Sequence, residues 1–272
     1  VKPADFTYHR PSTAEQAASL LAELSDAKVL AGGQSLLPIM NMRLASPEHL
    51  VDLTAIRGLR TFTEADDQIR YGATTTHMML EEQLVPDRTN GLLPRAASGI
   101  GYRAIRNRGT LAGSLAHADS SAEWPTIMAA VDAAVHTLSV RGTRRIPVRD
   151  LLRGFFTTAL DEDEFITGVE VARFAPETRW GLYKMARKPG EFAESLAVAL
   201  LRPDGAELWL GAARDVPIRL PNTEAVAESP ELPDLLDAVG ADTGSDGHQR
   251  QLHAVSVQRA LNAAHHQEVT RV

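Results

Sequence analysis

Two glycine-bearing stretches offer the most specific chemistry in this chain. The first comprises Ala31, Gly32, Gly33, Gln34 and Ser35, and the second Gly109, Thr110, Leu111, Ala112, Gly113 and Ser114. Each presents backbone N–H groups with little side-chain bulk, which is what main-chain binding of a phosphate requires. The hydroxyls of Ser35, Thr110 and Ser114 add donors suited to phosphate and sugar oxygens. Neither stretch is a P-loop, since no Lys-Ser/Thr follows the first glycines, and neither contains the Gly-x-Gly-x-x-Gly dinucleotide fingerprint. Two separate stretches point to one ligand held from two sides, with a diphosphate in the middle. The alternative for each is a tight turn in which glycine only supplies a positive φ.

Arg106 and Arg108 flank the second stretch, and His117, Asp119 and Glu123 follow it. The spacing His-x-Asp-x-x-x-Glu can gather metal ligands on one side of a turn. The favoured alternative is that Asp119 caps the next helix while Glu123 bonds a ligand hydroxyl or nothing. No metal site and no catalytic acid or base is therefore assigned. Lys184, in an otherwise apolar strand, either points inward to balance negative charge on a ligand or snorkels to the surface. Phe192, just beyond Pro189 and Gly190, either stacks on a planar ligand or packs in the core.

The bulk properties narrow the classes. With 272 residues, 44% hydrophobic and 23% charged, the chain can build two globular domains. A net charge of −7 argues against a nucleic-acid partner, which a basic face would serve. No apolar run reaches membrane-spanning length and the N-terminal residues lack a signal pattern, so a soluble, cytoplasmic protein is expected. There is no cysteine, which excludes a disulfide, a Cys-type zinc site or a thiolate-ligated iron–sulfur cluster within the chain. Any iron–sulfur chemistry must then sit on a partner.

The elements that position the two stretches follow from local patterns. Ser12 and Glu15 read as a capping box opening a helix with Ala17, Leu20, Leu21 and Leu24 on its apolar face. A strand at 28–31 runs into the first glycine stretch, followed by a short helix over 36–44 and a strand at 48–53. Residues 59–63 and 68–73 form a hairpin, 76–84 and 92–99 are helical, and a helix over 121–131 follows the second stretch, which reads as a loop. A second hairpin pairs 135–140 with 144–148, and 164–172 alternates as a strand. The pattern breaks at 175–178, a domain boundary. Strands at 181–185, 195–202 and 207–213 come next, with the turn at Pro203, Asp204 and Gly205, then a helix over 249–264 and a polar, frayed tail.

The stretch from Ala31 to Ser35, the run from Arg106 through Gly109 and Gly113 to Asp119, and the segment from Lys184 to Phe192 resemble, in order, the FAD-binding medium subunit of molybdenum-containing hydroxylases. That family includes carbon monoxide dehydrogenase, nicotine and ketone dehydrogenases and xanthine dehydrogenases. The resemblance covers essentially the whole chain, including the C-terminal helix from Gln249 to Asn262. It implies an α+β, vanillyl-alcohol-oxidase-like (PCMH-type) fold that clasps FAD in two parts. Those parts would be an α/β subdomain at 1–55 and a second FAD-binding subdomain at 56–175. A C-terminal flavoprotein domain at 176–272 would carry a three-stranded antiparallel sheet and helices.

By the same resemblance, Val29, Leu30, Ala31, Gly32, Gly33, Gln34, Ser35 and Leu36, with Thr110, Leu111, Ala112, Gly113 and Ser114, hold the pyrophosphate and ribityl chain. Ile100 lies against the cofactor, and His117 and Asp119 belong to the same binding run. Glu123 falls near the adenosine ribose, Ile166 and Lys184 by the isoalloxazine or its chain, and Phe192 at an aromatic shield position. The sequence departs from the family at Ala112, where glycine is usual, and at Ser120, where proline is usual. The implied role is an electron relay. A large molybdenum-cofactor subunit oxidises the substrate, a small subunit with two [2Fe–2S] clusters passes electrons to the FAD, and an outside acceptor receives them. The assembly is a heterotrimer or a dimer of heterotrimers. A stand-alone FAD-dependent oxidoreductase on the same fold and a non-enzymatic nucleotide-binding scaffold are the rival functions.

Overall fold

The computed structural model describes residues 2–221, 227, 232–244 and 247–267. The chain opens with β1 (Thr7–His9), α1 (Ala14–Glu23), β2 (Ala27–Leu30), α2 (Leu36–Asn41) and β3 (His49–Asp52). These strands form a small parallel sheet in the order β1-β3-β2, with Val29 opposite Val51. The helix α1 starts one residue later than its sequence suggests. Thr13, not Ser12, accepts from the Gln16 N–H at 3.2 Å, and the Gln16 side chain reaches back to the Ser12 N–H at 2.9 Å. Ser12 and Glu15 therefore do not form the expected box: Thr13 is the cap, and Gln16 closes onto the N–H one residue before it.

A second layer follows from β4 (Phe62–Glu64), β5 (Gln68–Gly72), α3 (His77–Glu81), α4 (Leu92–Ser98), α5 (Arg103–Arg106), α6 (Leu111–His117) and α7 (Glu123–Ala130). After these come β6 (Ala134–Ser139), β7 (Gly142–Pro147), α8 (Val148–Leu151), the hairpin β8 (Leu152–Gly154) and β9 (Thr157–Thr158), and β10 (Phe165–Ala172). The antiparallel sheet runs β4-β5-β10-β6-β7. Its central strand β10 does not alternate as expected. Every residue from Phe165 to Val171 is buried, because helices and neighbouring strands cover both faces. The one carboxylate in that run, Glu170, accepts from Arg145 at 2.7 Å and is bonded to the His136 ring at 2.7 Å.

The last part holds β11 (Arg179–Met185), β12 (Ser195–Arg202), β13 (Gly205–Gly211), β14 (Ile218–Arg219), α9 (Leu232–Thr243) and α10 (Gly247–His265). The sheet has four antiparallel strands rather than three, since the two-residue β14 pairs with β13 at the edge. The two-residue period of β12 sorts its side chains cleanly. Val198 and Leu200 join the core that includes Trp124 and Ile127 of α7, while Ala197 and Ala199 pack with Val257, Ala260 and Leu261 of α10. That first core therefore continues past the turn at 175–178. The polar tail beyond residue 267 lies outside the described residues. Among the described residues, no helix is long and apolar enough to cross a membrane.

Helix α10 packs tightly on the sheet at Gly181, where a Cβ would run into the Ala260 carbonyl. Gly181→Ala should accordingly cost about 3 kcal/mol by overpacking, measured by urea denaturation. A loss below about 1 kcal/mol would show that α10 can shift away at little cost.

Candidate functional site

The first glycine stretch leaves the end of β2 and enters α2, with Gly33 in the left-handed region at φ +72°. Among the described residues, no hydrogen bond uses the amides of Gly33, Gln34 or Ser35. Ser35 sits at the start of α2 but makes no side-chain cap bond, so its hydroxyl is also unspent. Consecutive unpaired N–H groups on a concave surface are an anion-binding arrangement.

The second stretch is not a loop. Thr110 is the N-cap of α6 and accepts from the Gly113 N–H at 3.0 Å, so residues 111–114 form the helix's first turns. Leu111 and Leu115 stand four residues apart and anchor one face in the core. The side chains of Leu111 and Ala112 are both buried and pack into the core. The stretch is pinned from the other side by Leu111 N–H to Thr75 O at 3.1 Å and His77 N–H to Gly109 O at 2.9 Å.

The two stretches touch. A Cβ on Gly32 would run into the Arg108 carbonyl and lie 2.7 Å from the Gly109 Cα, so the backbones cross without room for a side chain. Beside the crossing sits His77, whose Nδ1 accepts from the Trp124 indole N–H at 3.0 Å. Burial, with Arg106 adding to it, pushes the His77 imidazole down to about 4, so it is neutral at physiological pH. Nothing in the local sequence around residue 77 marks this histidine. Its importance comes from contacts with residues 109 and 124.

Around the crossing opens a cavity of about 410 Å³. Its walls include Val29, Leu30, Ala31, Gly32, Gly33, Gln34, Ser35 and Leu36, together with Ile100, Thr110, Gly113, Ser114, His117, Asp119, Glu123 and Phe192. Gly109 of the second stretch lines it too, as do Lys28, Ile39, His77, Gly101, Ile105, Ala116, Ala122, Gly190 and Glu191, which the sequence did not single out for this. Phe192 is exposed at the rim. Ile166 does not reach the cavity, because it is packed in the core within β10.

The charged residues behave differently from expectation. Asp119 does not cap α7. Its Oδ1 accepts from the Ser121 N–H at 2.9 Å, and the N-cap of α7 is Ala122, which has no side-chain bond. The His117 ring lies 4.7 Å from that of Phe156, and burial holds its imidazole below the usual histidine range. Glu123 is not without a partner, since Lys184 Nζ donates to its Oε1 at 2.6 Å. Lys184 also donates to the Gly99 carbonyl at 3.3 Å, so it neither snorkels nor lines the cavity. It braces the wall from behind. Arg106 is likewise spent, bonding Glu81 at 2.7 Å and the Ile100 and Gly101 carbonyls at 3.1 Å each.

Residues 4–173 match the family described as the FAD-binding domain in molybdopterin dehydrogenase. The chain belongs to that family. It is 37% identical over 230 residues to the nicotine 6-hydroxylase medium subunit of Paenarthrobacter nicotinovorans, covering 83% of this chain and 81% of that subunit. It is 36% identical to the carbon monoxide dehydrogenase medium chain of Hydrogenophaga pseudoflava, covering 75% of this chain and 71% of that one. A solved structure of carbon monoxide dehydrogenase from Hydrogenophaga pseudoflava superposes with a TM-score of 0.90 at 32% identity, covering 97% of this chain and 98% of that chain.

As an FAD-binding domain of this family, the chain presents a donor set that fits the cofactor. Unpaired amides at 33–35 and the Ser35 hydroxyl suit a diphosphate, while Val29, Leu30, Ile39 and Ile100 supply apolar wall. The departure from the family at Ala112 is harmless to this surface, because its methyl is buried in the core away from the cavity.

The Glu123–Lys184 pair makes a pH-dependent prediction. Burial pushes the Glu123 carboxyl up, and Lys184 pulls against that rise. In Lys184→Met the counter-charge is gone, so the folded-state carboxyl rises further above its unfolded value. The resulting penalty falls on the ionised form and is relieved as the pH drops through the raised value. The variant should lose about 3 kcal/mol of stability at neutral pH and recover much of it in acid, read from thermal unfolding across pH. A deficit that does not change with pH would contradict the pairing.

Proposed function

We propose that this chain is the FAD-holding relay of a molybdenum hydroxylase assembly, carrying its cofactor between the two crossed stretches. The observation that carries the reading is the run of unpaired amides at Gly33, Gln34 and Ser35 on the cavity wall of a chain from this family. The amides and the Ser35 hydroxyl hold the diphosphate, with Gly113 and Ser114 on the facing side. Val29, Leu30, Leu36 and Ile100 exclude water along the ligand, His117, Asp119 and Glu123 line the part toward the sugar, and Phe192 shields an exposed ring. Bound FAD supplies the redox chemistry, taking electrons from clusters on a neighbouring subunit and passing them to an outside acceptor. The residues of this chain bind, orient and shield, and none acts as acid or base in substrate oxidation.

The partners are a large molybdenum-cofactor subunit and a small subunit with two [2Fe–2S] clusters, in a cytoplasmic heterotrimer or its dimer. The naming of related chains as medium subunits supports this arrangement. Functionally the chain divides at about residues 55 and 175 into two cofactor-clasping parts and a C-terminal part. The absence of cysteine leaves cluster ligation to the partners.

The test is to purify the chain with whatever accompanies it, record the visible spectrum, and release and identify the flavin. Non-covalent FAD with iron–sulfur absorbance and two further subunits is the expected result. FAD in a chain that works alone would favour an independent flavoenzyme, and no flavin in the assembled complex would overturn the reading. Gly33→Val should abolish flavin retention, since φ +72° excludes a β-branched residue and Leu37 lies 2.9 Å from the added Cβ. Full occupancy in that variant would contradict the role of the first stretch.

A further inference from the structure

We propose that His77 is a direct ligand of the cofactor, its Nε2–H donating to an anionic diphosphate oxygen where the two glycine stretches cross. The inference rests on the FAD reading above and adds a residue outside both stretches. Three features of the structure carry it.

The first is the tautomer. An indole N–H only donates, so the 3.0 Å bond from Trp124 Nε1 requires Nδ1 of His77 to be an acceptor. A neutral imidazole with an accepting Nδ1 carries its proton on Nε2. The ring is kept neutral by its burial, so that proton is its single N–H donor.

The second is where that donor points. The Nε2–Cδ2 edge faces Gly109, so closely that a Cβ there would lie 2.7 Å from Nε2 and 2.9 Å from Cδ2. Glycine at 109 lets the ring edge reach the cavity wall, and the Gly109 Cα is the atom that Gly32 packs against. Nε2, Gly109 and Gly32 thus meet at one place, on the cavity that residues 33–35 also line. The backbone bond from His77 N–H to Gly109 O, 2.9 Å, fixes the ring's own attachment to the same residue.

The third is the missing acceptor. His77 as a residue is only 5% exposed, and among the described residues nothing accepts from Nε2. That nitrogen is not one of the fully enclosed polar atoms left without a partner, and His77 lines the cavity. A bound anion there would supply the acceptor that the fold does not. A purely structural histidine, present only to receive the Trp124 N–H, would not need a second nitrogen aimed at the crossing.

The experiment titrates the flavin-free full chain with FAD, ADP and riboflavin by calorimetry, comparing wild type with His77→Leu and His77→Gln. Loss of one hydrogen bond to a charged oxygen should weaken FAD and ADP about 10- to 100-fold in His77→Leu. Riboflavin, which has no diphosphate, should bind both proteins alike. His77→Gln should restore most of the affinity, since its amide can accept from Trp124 and still donate. Unchanged FAD affinity in a folded His77→Leu, or an equal loss for riboflavin, overturns the proposal. Should that variant fail to fold, ¹⁵N-histidine NMR of the wild type decides. An Nε2–H resonance that moves downfield with FAD and ADP supports the contact, and one that ignores both ligands refutes it. If the wild type binds no FAD, the cofactor reading itself fails. If the wild type binds and His77 is indifferent, only this inference does.

Discussion

The architecture of the site depends on one steric constraint, the crossing of Gly32 over the Arg108 carbonyl and the Gly109 Cα. The end of β2 belongs to the small parallel sheet, whereas Gly109 leads into α6, which packs against the five-stranded sheet. Bringing these two backbones into contact joins the sheets and creates the concave wall between them. Three hydrogen bonds hold the second stretch in place for it: Gly109 N–H to Ile105 O at 2.7 Å, His77 N–H to Gly109 O, and Leu111 N–H to Thr75 O. Glycine at 32 and 109 is thus required by the chain before any ligand is considered. The ligand-facing consequence lies one residue further on, where Gly33 turns left-handed and the next amides are left without partners.

The distribution of charge follows from the same geometry. Two cations behind the cavity wall are committed to the protein: Lys184 to Glu123 and the Gly99 carbonyl, Arg106 to Glu81 and the carbonyls of Ile100 and Gly101. These contacts brace the segment around Ile100 that forms part of the wall. A diphosphate bound here would meet neutral donors, namely main-chain amides, hydroxyls and the imidazole of His77, with Lys28 as the cation on the cavity wall. Neutral donors in a water-poor pocket are preorganised and need no counter-charge of their own. That suits a chain whose net charge is −7 and whose cofactor must stay bound while its own charge changes with redox state.

Much of this was legible in the sequence wherever structure is set by near neighbours. The strand before the first stretch, the hairpin around Gly142 and the turn at Gly205 all follow from local pattern and turn chemistry. The cavity-lining role of residues 29–36 was also legible, because the glycine, amide and hydroxyl groups sit together in one run. What was not legible depends on distant contacts. β1 and β14 are too short to show a period and exist because a strand edge accepts them. The helical state of residues 111–117 is decided by the Thr110 cap and by the core that Leu111 and Leu115 enter, which outweigh the glycine at 113. Lys184 reads as a ligand-facing cation because Glu123, its partner, is 61 residues away in the chain. His77 carries no motif at all.

The central claim, that the amides of Gly33, Gln34 and Ser35 grip the cofactor's diphosphate, is tested most directly by amide hydrogen exchange of the full chain with and without FAD. These amides should exchange fast in the flavin-free chain, become strongly protected when FAD is added, and be protected to a similar degree by ADP alone. Exchange at residues 33–35 that stays fast in a chain saturated with FAD would contradict it.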